Sequence, residues 1–163
     1  MDYLWSPWRY QYVQKSHRDQ PCIFCQYGES ANDEENLVVC RGQRNFVILN
    51  RYPYTSGHVM IAPYEHVATL DAAAPETLEE MMLIAQRAQR HLGAIYQPQG
   101  FNLGMNLGES AGAGIASHIH MHLLPRWNGD TSFITTVSET RILPEDLAVT
   151  WKKLDEAFRK EQK

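Results

Sequence analysis

Ser117-His118-Ile119-His120-Met121-His122-Leu123-Leu124 sets three histidines two residues apart, with large apolar side chains between them. In a strand successive side chains point to opposite faces, so His118, His120 and His122 share one face and Ile119, Met121 and Leu123 the other. Neighbouring imidazoles then stand about 7 Å apart along the strand, whereas a helix would scatter them. Histidine titrates near neutrality and serves as nucleophile, general acid or base, or metal ligand, so an aligned row points to chemistry. The plainer alternative is a solvated or internally hydrogen-bonded face.

Outward from this strand, 117–125, the chain alternates short strands with one long helix. Residues 37–41 and 46–50 read as a hairpin joined through Gly42-Gln43-Arg44-Asn45, and 58–62 as a third strand closed by Pro63. Residues 101–107 read as a further strand, followed by a glycine-rich loop over 108–114. From Pro75 to Tyr96, apolar residues at Leu78, Met81, Met82, Ala85, Ala88, Leu92 and Ile95 give the three-and-four spacing of an amphipathic helix. Glu76, Glu79 and Glu80 favour its N-terminal end. A second helix is expected at the C-terminal end, residues 144–163, with a stripe of Leu147, Trp151, Leu154 and Phe158. The polar stretch 29–35 reads as a loop. Sequential strands around one long helix imply an α+β fold with a largely antiparallel sheet.

With 163 residues, the chain is expected to form one domain, 1–163, with a real core. Its first part, 1–20, is an aromatic extension (Tyr3-Leu4-Trp5-Ser6-Pro7-Trp8-Arg9-Tyr10), expected to pack on the body or on a partner subunit. The balance of 15 basic against 19 acidic residues, net −4, argues against a duplex nucleic-acid partner but leaves room for a local anion site. Apolar stretches are far too short for a membrane span, and no basic-then-apolar signal opens the chain. A soluble, cytoplasmic protein is the expectation. Three cysteines, two of them close together, suit a reducing compartment better than a disulfide framework. Cys40 reads as a buried small hydrophobe.

Two chemistries compete for the histidines. In Cys22-Ile23-Phe24-Cys25 the two-residue gap lets both thiolates reach one tetrahedral ion, which needs two more ligands. His66 and His118 are the choice made here, although spacing alone does not separate them from His17, His58 or His91. A thioredoxin-type pair would want a helix start after a strand, whereas Pro21 and the aromatic segment precede this one, which favours structural zinc. A catalytic zinc on the histidine row is a rival, without an evident nearby carboxylate. The other chemistry is nucleophilic: an imidazole whose second nitrogen donates to a carbonyl keeps a free nitrogen for attack on phosphorus, and His120 is central in the row. The loop Gly108-Glu109-Ser110-Ala111-Gly112-Ala113-Gly114 could bring backbone N–H groups to phosphate oxygens, and His122 could hydrogen-bond the phosphate or departing group.

His118-Ile119-His120-Met121-His122-Leu123-Leu124 resembles the signature of the histidine triad (HIT) superfamily of nucleotide hydrolases and transferases. Phe46-Val47-Ile48-Leu49-Asn50-Arg51-Tyr52-Pro53 and Gly57-His58-Val59 resemble the nucleoside-binding strand and turn of its Fhit-like members. Trp5-Ser6-Pro7-Trp8-Arg9, Ala111-Gly112-Ala113-Gly114-Ile115 and Pro125-Arg126-Trp127-Asn128-Gly129-Asp130-Thr131 resemble the diadenosine tetraphosphate (Ap4A) phosphorylase branch. The likeness runs from about residue 5 to about residue 133. Fhit-like hydrolases carry a glutamine where Gly114 stands here, a departure that argues against simple dinucleoside triphosphate hydrolysis.

The resemblance implies a HIT-like fold paired into a homodimer. It implies His120 as nucleophile forming a nucleotidyl-histidine, with His122 at the phosphate and leaving group and His58 in support. Asn50 would take the ribose hydroxyls, Asn106 a phosphate or leaving-group oxygen, Gly114 and Ile115 backbone contacts to phosphate, and Trp127 the second nucleoside. Cys22, Cys25, His66 and His118 would be the ligands of one structural zinc, with no organic cofactor. The expected activity is cleavage of dinucleoside polyphosphates such as Ap4A, by phosphorolysis to ATP and ADP with inorganic phosphate as acceptor. Hydrolysis of Ap4A or Ap3A, a Hint-like nucleoside phosphoramidase and a non-catalytic nucleotide-binding module are the alternatives.

Overall fold

The computed structural model describes residues 21–131, 135 and 143–161. The aromatic segment 1–20 and the last two residues of the predicted C-terminal helical segment lie outside them. Five strands, β1 (Val38–Arg41), β2 (Asn45–Leu49), β3 (Val59–Pro63), β4 (Gly100–Met105) and β5 (Met121–Arg126), form one antiparallel sheet in the order β1-β2-β3-β5-β4. Among the described residues four α-helices accompany it: α1 (Ile23–Glu29), α2 (Asp33–Asn36), α3 (Pro75–Tyr96) and α4 (Leu147–Glu161). The expected α+β architecture, with its long helix and C-terminal helix, is therefore present.

Strand alternation divides the core in two. Val47, Leu49, Val59, Ile61, Met121 and Leu123 pack with Met81, Ile84, Ala85, Ala88 and Leu92 of α3 and Leu154 and Phe158 of α4. Phe46, Ile48, Met60 and Ala62 face the other way, onto Phe24 of α1. Both faces of β2 and β3 are thus covered, which is why these strands read as unbroken apolar runs. The expected α4 stripe is the buried one, and its Trp151 indole N–H donates to the Val38 carbonyl at 2.8 Å. In α3, Ile84 and Thr77 are buried whereas Met82 is half exposed, so the apolar face is rotated from the predicted one at that position.

Two expectations are corrected. Residues 29–35 are not a plain loop: α1 ends at Glu29 and α2 begins at Asp33. Arg41 donates to the carbonyls of Tyr27 (3.0 Å), Gly28 (2.7 Å) and Ser30 (2.6 Å), supplying a cation and donors where the end of α1 needs them. The histidine strand is also shorter than 117–125, because β5 begins at Met121. The β3–β5 register pairs Ile61 with Met121, so the next position on β3 facing outward from the ladder is Pro63, which has no N–H to give. His118 to His120 continue as an extended lead-in, with the Ile119 N–H donated to Val67 at 2.8 Å.

Glu80 of α3 closes the β1–β2 turn. Its carboxylate accepts from the Gln43 N–H (2.7 Å), the Arg44 N–H (2.8 Å) and the buried Asn45 amide (2.8 Å). Burial by itself would raise its pKa, but these hydrogen bonds outweigh it and hold the carboxyl below its usual range. Replacing it removes the shared acceptor of two backbone donors and of the buried Asn45 amide. Glu80→Ala is expected to cost about 2 kcal/mol near neutral pH, by urea denaturation. The deficit should shrink as pH falls through the native carboxyl's pKa, because the wild type then loses the same contribution. An unchanged midpoint at pH 7 would contradict this role.

Candidate active site

The pairing of β3 with β5 sets Met60 beside His122, and His58, just before β3, reaches the same imidazole. Gly57, at φ +79°, makes this possible: a Cβ there would lie 3.0 Å from Leu92, 3.1 Å from Tyr96 and 3.2 Å from Pro125. His58 Nδ1 accepts the backbone N–H of Tyr54 at 3.1 Å, so the ring's proton sits on Nε2 and is donated to His122 Nδ1 at 3.0 Å. Burial, and then the neighbouring His120, push the His122 pKa down to about 4. A neutral His122 that accepts at Nδ1 must carry its proton on Nε2, as a donor.

His120 is arranged the other way. Its Nδ1–H donates to the His118 carbonyl at 2.9 Å, leaving the Nε2 lone pair for chemistry. Burial lowers its pKa, against the pull of that carbonyl, so the lone pair is not lost to a proton near neutrality. Its ring centroid lies 5.0 Å from that of His122 and 4.8 Å from that of Phe24. A nucleophilic nitrogen and a hydrogen-bond donor therefore stand side by side.

His118 serves a different cluster. Its Nε2–H donates to the Pro63 carbonyl at 2.9 Å, which turns the Nδ1 lone pair towards Cys22 Sγ (3.3 Å), Cys25 Sγ (3.7 Å) and His66 Nδ1 (3.2 Å). Cys25 Sγ is 3.2 Å from His66 Nδ1, and the four ligand atoms all lie within 4.8 Å of one another. The cysteines sit at the N-cap and first turn of α1, so the pair does open a helix, contrary to the expectation from Pro21. Burial and the adjoining Cys22 raise the Cys25 thiol to about 11, and burial lowers His118 to about 4. Converging lone pairs on two thiols and two imidazoles suit a tetrahedral cation of borderline softness.

Of the other expected site residues, Asn50 reaches the row through His58. Asn50 Oδ1 accepts the Tyr52 N–H at 2.9 Å, and its amide nitrogen lies 3.4 Å from His58 Nδ1, so it braces the β2–β3 turn. The β4–β5 register ends at the Met105–Met121 pair, with Asn106 the residue just after Met105 and His120 the residue just before Met121. Gly114 lies in the loop after a 3₁₀ turn, Glu109–Ala111, and Ile115 packs on the Phe24 cluster. The Trp127 indole N–H donates to the Tyr96 carbonyl at 3.4 Å. Sequence reasoning missed Tyr54, whose ring lies 4.8 Å from that of His58 and 6.3 Å from that of His122. Its place in the proline- and glycine-bounded turn before His58 was the available signal. It also missed Phe24, between the two cysteines, which packs on both His118 and His120.

A family model described as the HIT domain matches residues 31–129. The chain is 38% identical over 158 residues, 93% of its length, to a Mycobacterium tuberculosis protein described as AP-4-A phosphorylase, covering 81% of that protein. It is 26% identical over 95 residues to the asymmetrical bis(5'-nucleosyl)-tetraphosphatase of Schizosaccharomyces pombe, covering 58% of this chain and 52% of that one. Among solved structures it resembles a Zn-bound histidine triad family protein from Mycobacterium smegmatis, with a TM-score of 0.69 and 28% identity over 86% of this chain and 95% of that one.

The hydrogen-bond chain from Tyr54 through His58 to His122 has a pH signature. An unfolded chain protonates this histidine near its ordinary 6.5, the folded chain only near 4, so its contribution to stability is complete above 6.5 and declines as pH falls towards 4. Nitrogen-15 imidazole spectra should show His122 neutral, with its proton on Nε2, at pH 6. A ring titrating near 6.5 would contradict the arrangement.

Proposed function

The chain belongs to the HIT domain family, and we propose that it is an enzyme that cleaves dinucleoside polyphosphates such as Ap4A through a nucleotidyl-histidine at His120. The observation that carries this reading is the pinned His120 Nδ1–H beside the His122 donor. His120 Nε2 attacks the α-phosphorus, the P–N bond forms and the bond to the bridging oxygen breaks. The departing polyphosphate leaves as an anion, so His122 Nε2–H donates a hydrogen bond to that oxygen without giving up its proton. The His118 carbonyl supports the positive charge that His120 acquires. An acceptor oxygen then attacks the same phosphorus and restores His120. With inorganic phosphate as acceptor Ap4A yields ATP and ADP, and with water ATP and AMP. The likeness to the Mycobacterium tuberculosis AP-4-A phosphorylase supports phosphate.

Asn50 is assigned to the ribose, and Asn106, Gly114 and Ile115 to the phosphates. Trp127 is assigned to the neighbourhood of the second nucleoside. The place of Asn106 just past the end of β4, one residue beyond the partner of Met121, supports its role. Cys22, Cys25, His66 and His118 would hold one zinc, which when bound supplies structural cross-linking between α1 and the extended segment that carries His120. The Zn-bound Mycobacterium smegmatis relative supports that identity. A homodimer is favoured by β4, a sheet edge with one strand neighbour among the described residues and a half-exposed Leu103. No helix among the described residues is long and apolar enough to cross a membrane, and the free thiols of Cys22, Cys25 and Cys40 suit a cytoplasmic setting.

His120→Ala is expected to lower Ap4A cleavage at least about a thousandfold, measured by product chromatography with and without phosphate. Activity within tenfold of wild type would remove the mechanism. Omitting phosphate should shift the nucleoside products from ADP to AMP if phosphorolysis is the native reaction. Elemental analysis should find about one zinc per chain, largely lost in Cys22→Ser together with a lower denaturation midpoint. A metal-free wild type of full stability would refute the ligand set and leave His120 untouched.

A further inference from the structure

Tyr96, the last residue of α3, stands between the C-terminal helix and the turn that delivers His58. Its ring lies against the main chain of that turn: a Cβ at Gly57 would be 3.1 Å from Tyr96 Cε2, with Leu92 and Pro125 closing the other sides. The next residue is His58, whose Nε2–H is donated to His122. The Asn50 N–H, donated to the His58 carbonyl at 3.0 Å, closes the base of the turn. Above that base the bonds are longer, from the His58 N–H to the Thr55 carbonyl at 3.3 Å and from the Thr55 hydroxyl to the Pro125 carbonyl at 3.1 Å. Both stand at the long end of the hydrogen-bond range, so packing on Gly57 has a large share in placing the turn.

The ring is itself held from its far side. Its hydroxyl donates to the carboxylate of Glu145, two residues before α4, which also accepts the Thr150 hydroxyl at 2.8 Å and the Lys153 ammonium. Lys153 Nζ lies over the ring face, 5.4 Å from the centroid. Burial, and then Glu145, raise the Tyr96 pKa, so the phenol remains a donor. Core filling alone asks for none of these contacts. The final residue of a helix, where the chain frays, needs them to keep a ring in one place.

We propose that Tyr96 is a positioning residue for the leaving-group donor: its ring holds Gly57, which fixes His58 and, through His58, the proton on His122 Nε2. The kinetic consequence rests on the nucleotidyl-transfer reading above, whereas the structural one rests on the His58–His122 bond alone. Without the ring the turn gains room and the 3.0 Å bond from His58 Nε2 to His122 Nδ1 loosens. The proton of His122 then divides between its two nitrogens. Departure of a basic oxygen depends most on the Nε2 donor and slows most when that donor is ill placed.

The test uses the phenyl and p-nitrophenyl esters of AMP, which form the same adenylyl-His120 and release phenolate or the less basic p-nitrophenolate. The ratio of kcat/KM for the nitrophenyl ester to that for the phenyl ester is expected to rise about tenfold in Tyr96→Leu, part of the roughly hundredfold cost of losing such a donor outright. Tyr96→Phe keeps the ring on Gly57 and should leave the ratio within about twofold of wild type. A loss of folded protein lowers both rates alike, so an unchanged ratio in Tyr96→Leu would overturn the proposal. An equal rise in Tyr96→Phe would do the same, because the ring would then not be what matters. Tyr96→Met takes the place of the leucine variant if that one does not fold. Nitrogen-15 imidazole spectra near neutral pH, which need no turnover, should show the His122 proton on Nε2 in wild type and Tyr96→Phe but shared between both nitrogens in Tyr96→Leu. Persistence of the wild-type tautomer there would also overturn the positioning role. A wild type that adenylylates His120 from neither ester would instead overturn the nucleotidyl-transfer reading, and the spectra alone would decide the role of Tyr96.

Discussion

The register of β3 against β5 is the constraint on which the rest depends. With Val59, Met60 and Ile61 opposite Leu123, His122 and Met121, the side chains of Val59, Ile61, Met121 and Leu123 go to the α3 side and those of Met60 and His122 to the other. A slip of one residue would turn His122 into the main core and Leu123 out of it, exchanging an apolar side chain for a buried, unpaired imidazole. Fold stability and site assembly are therefore specified by the same pairing. The long helix reinforces it, since Leu92 and Tyr96 press on Gly57 at the turn that delivers His58.

Much of this was legible because period-two and period-3.6 patterns are strong here. The α3 limits, Pro75–Tyr96, coincide with the predicted ones, since a proline opens the helix and apolar spacing runs unbroken along it. The α1–α2 region was not legible, because its helical turns are held by Arg41, thirteen residues from Gly28, and distant donors leave no local signature. The late start of the histidine strand depends on Pro63, fifty-five residues from His118. The ligand set named from the resemblance converges in space, although spacing alone had left His17, His58 and His91 as candidates. Tyr54 escaped notice because its role lies in a backbone N–H as much as in its ring.

Adjacent histidines in one short segment do opposite things because they are held as opposite tautomers. His118 is protonated on Nε2 and directs Nδ1 to the thiols, whereas His120 is protonated on Nδ1 and presents its Nε2 lone pair. Phe24 packs between the two clusters and keeps their roles separate while joining them mechanically.

The groups that decide these proton positions are the carbonyls of His118 and Pro63 and the amide of Tyr54. None is a side-chain atom. Ordinary amino-acid replacement cannot delete a carbonyl, and only proline at position 54 would erase the amide. The instructions for where each hydrogen resides are thus written in the polymer itself, sheltered from mutational drift, while the rings that read them stay open to replacement.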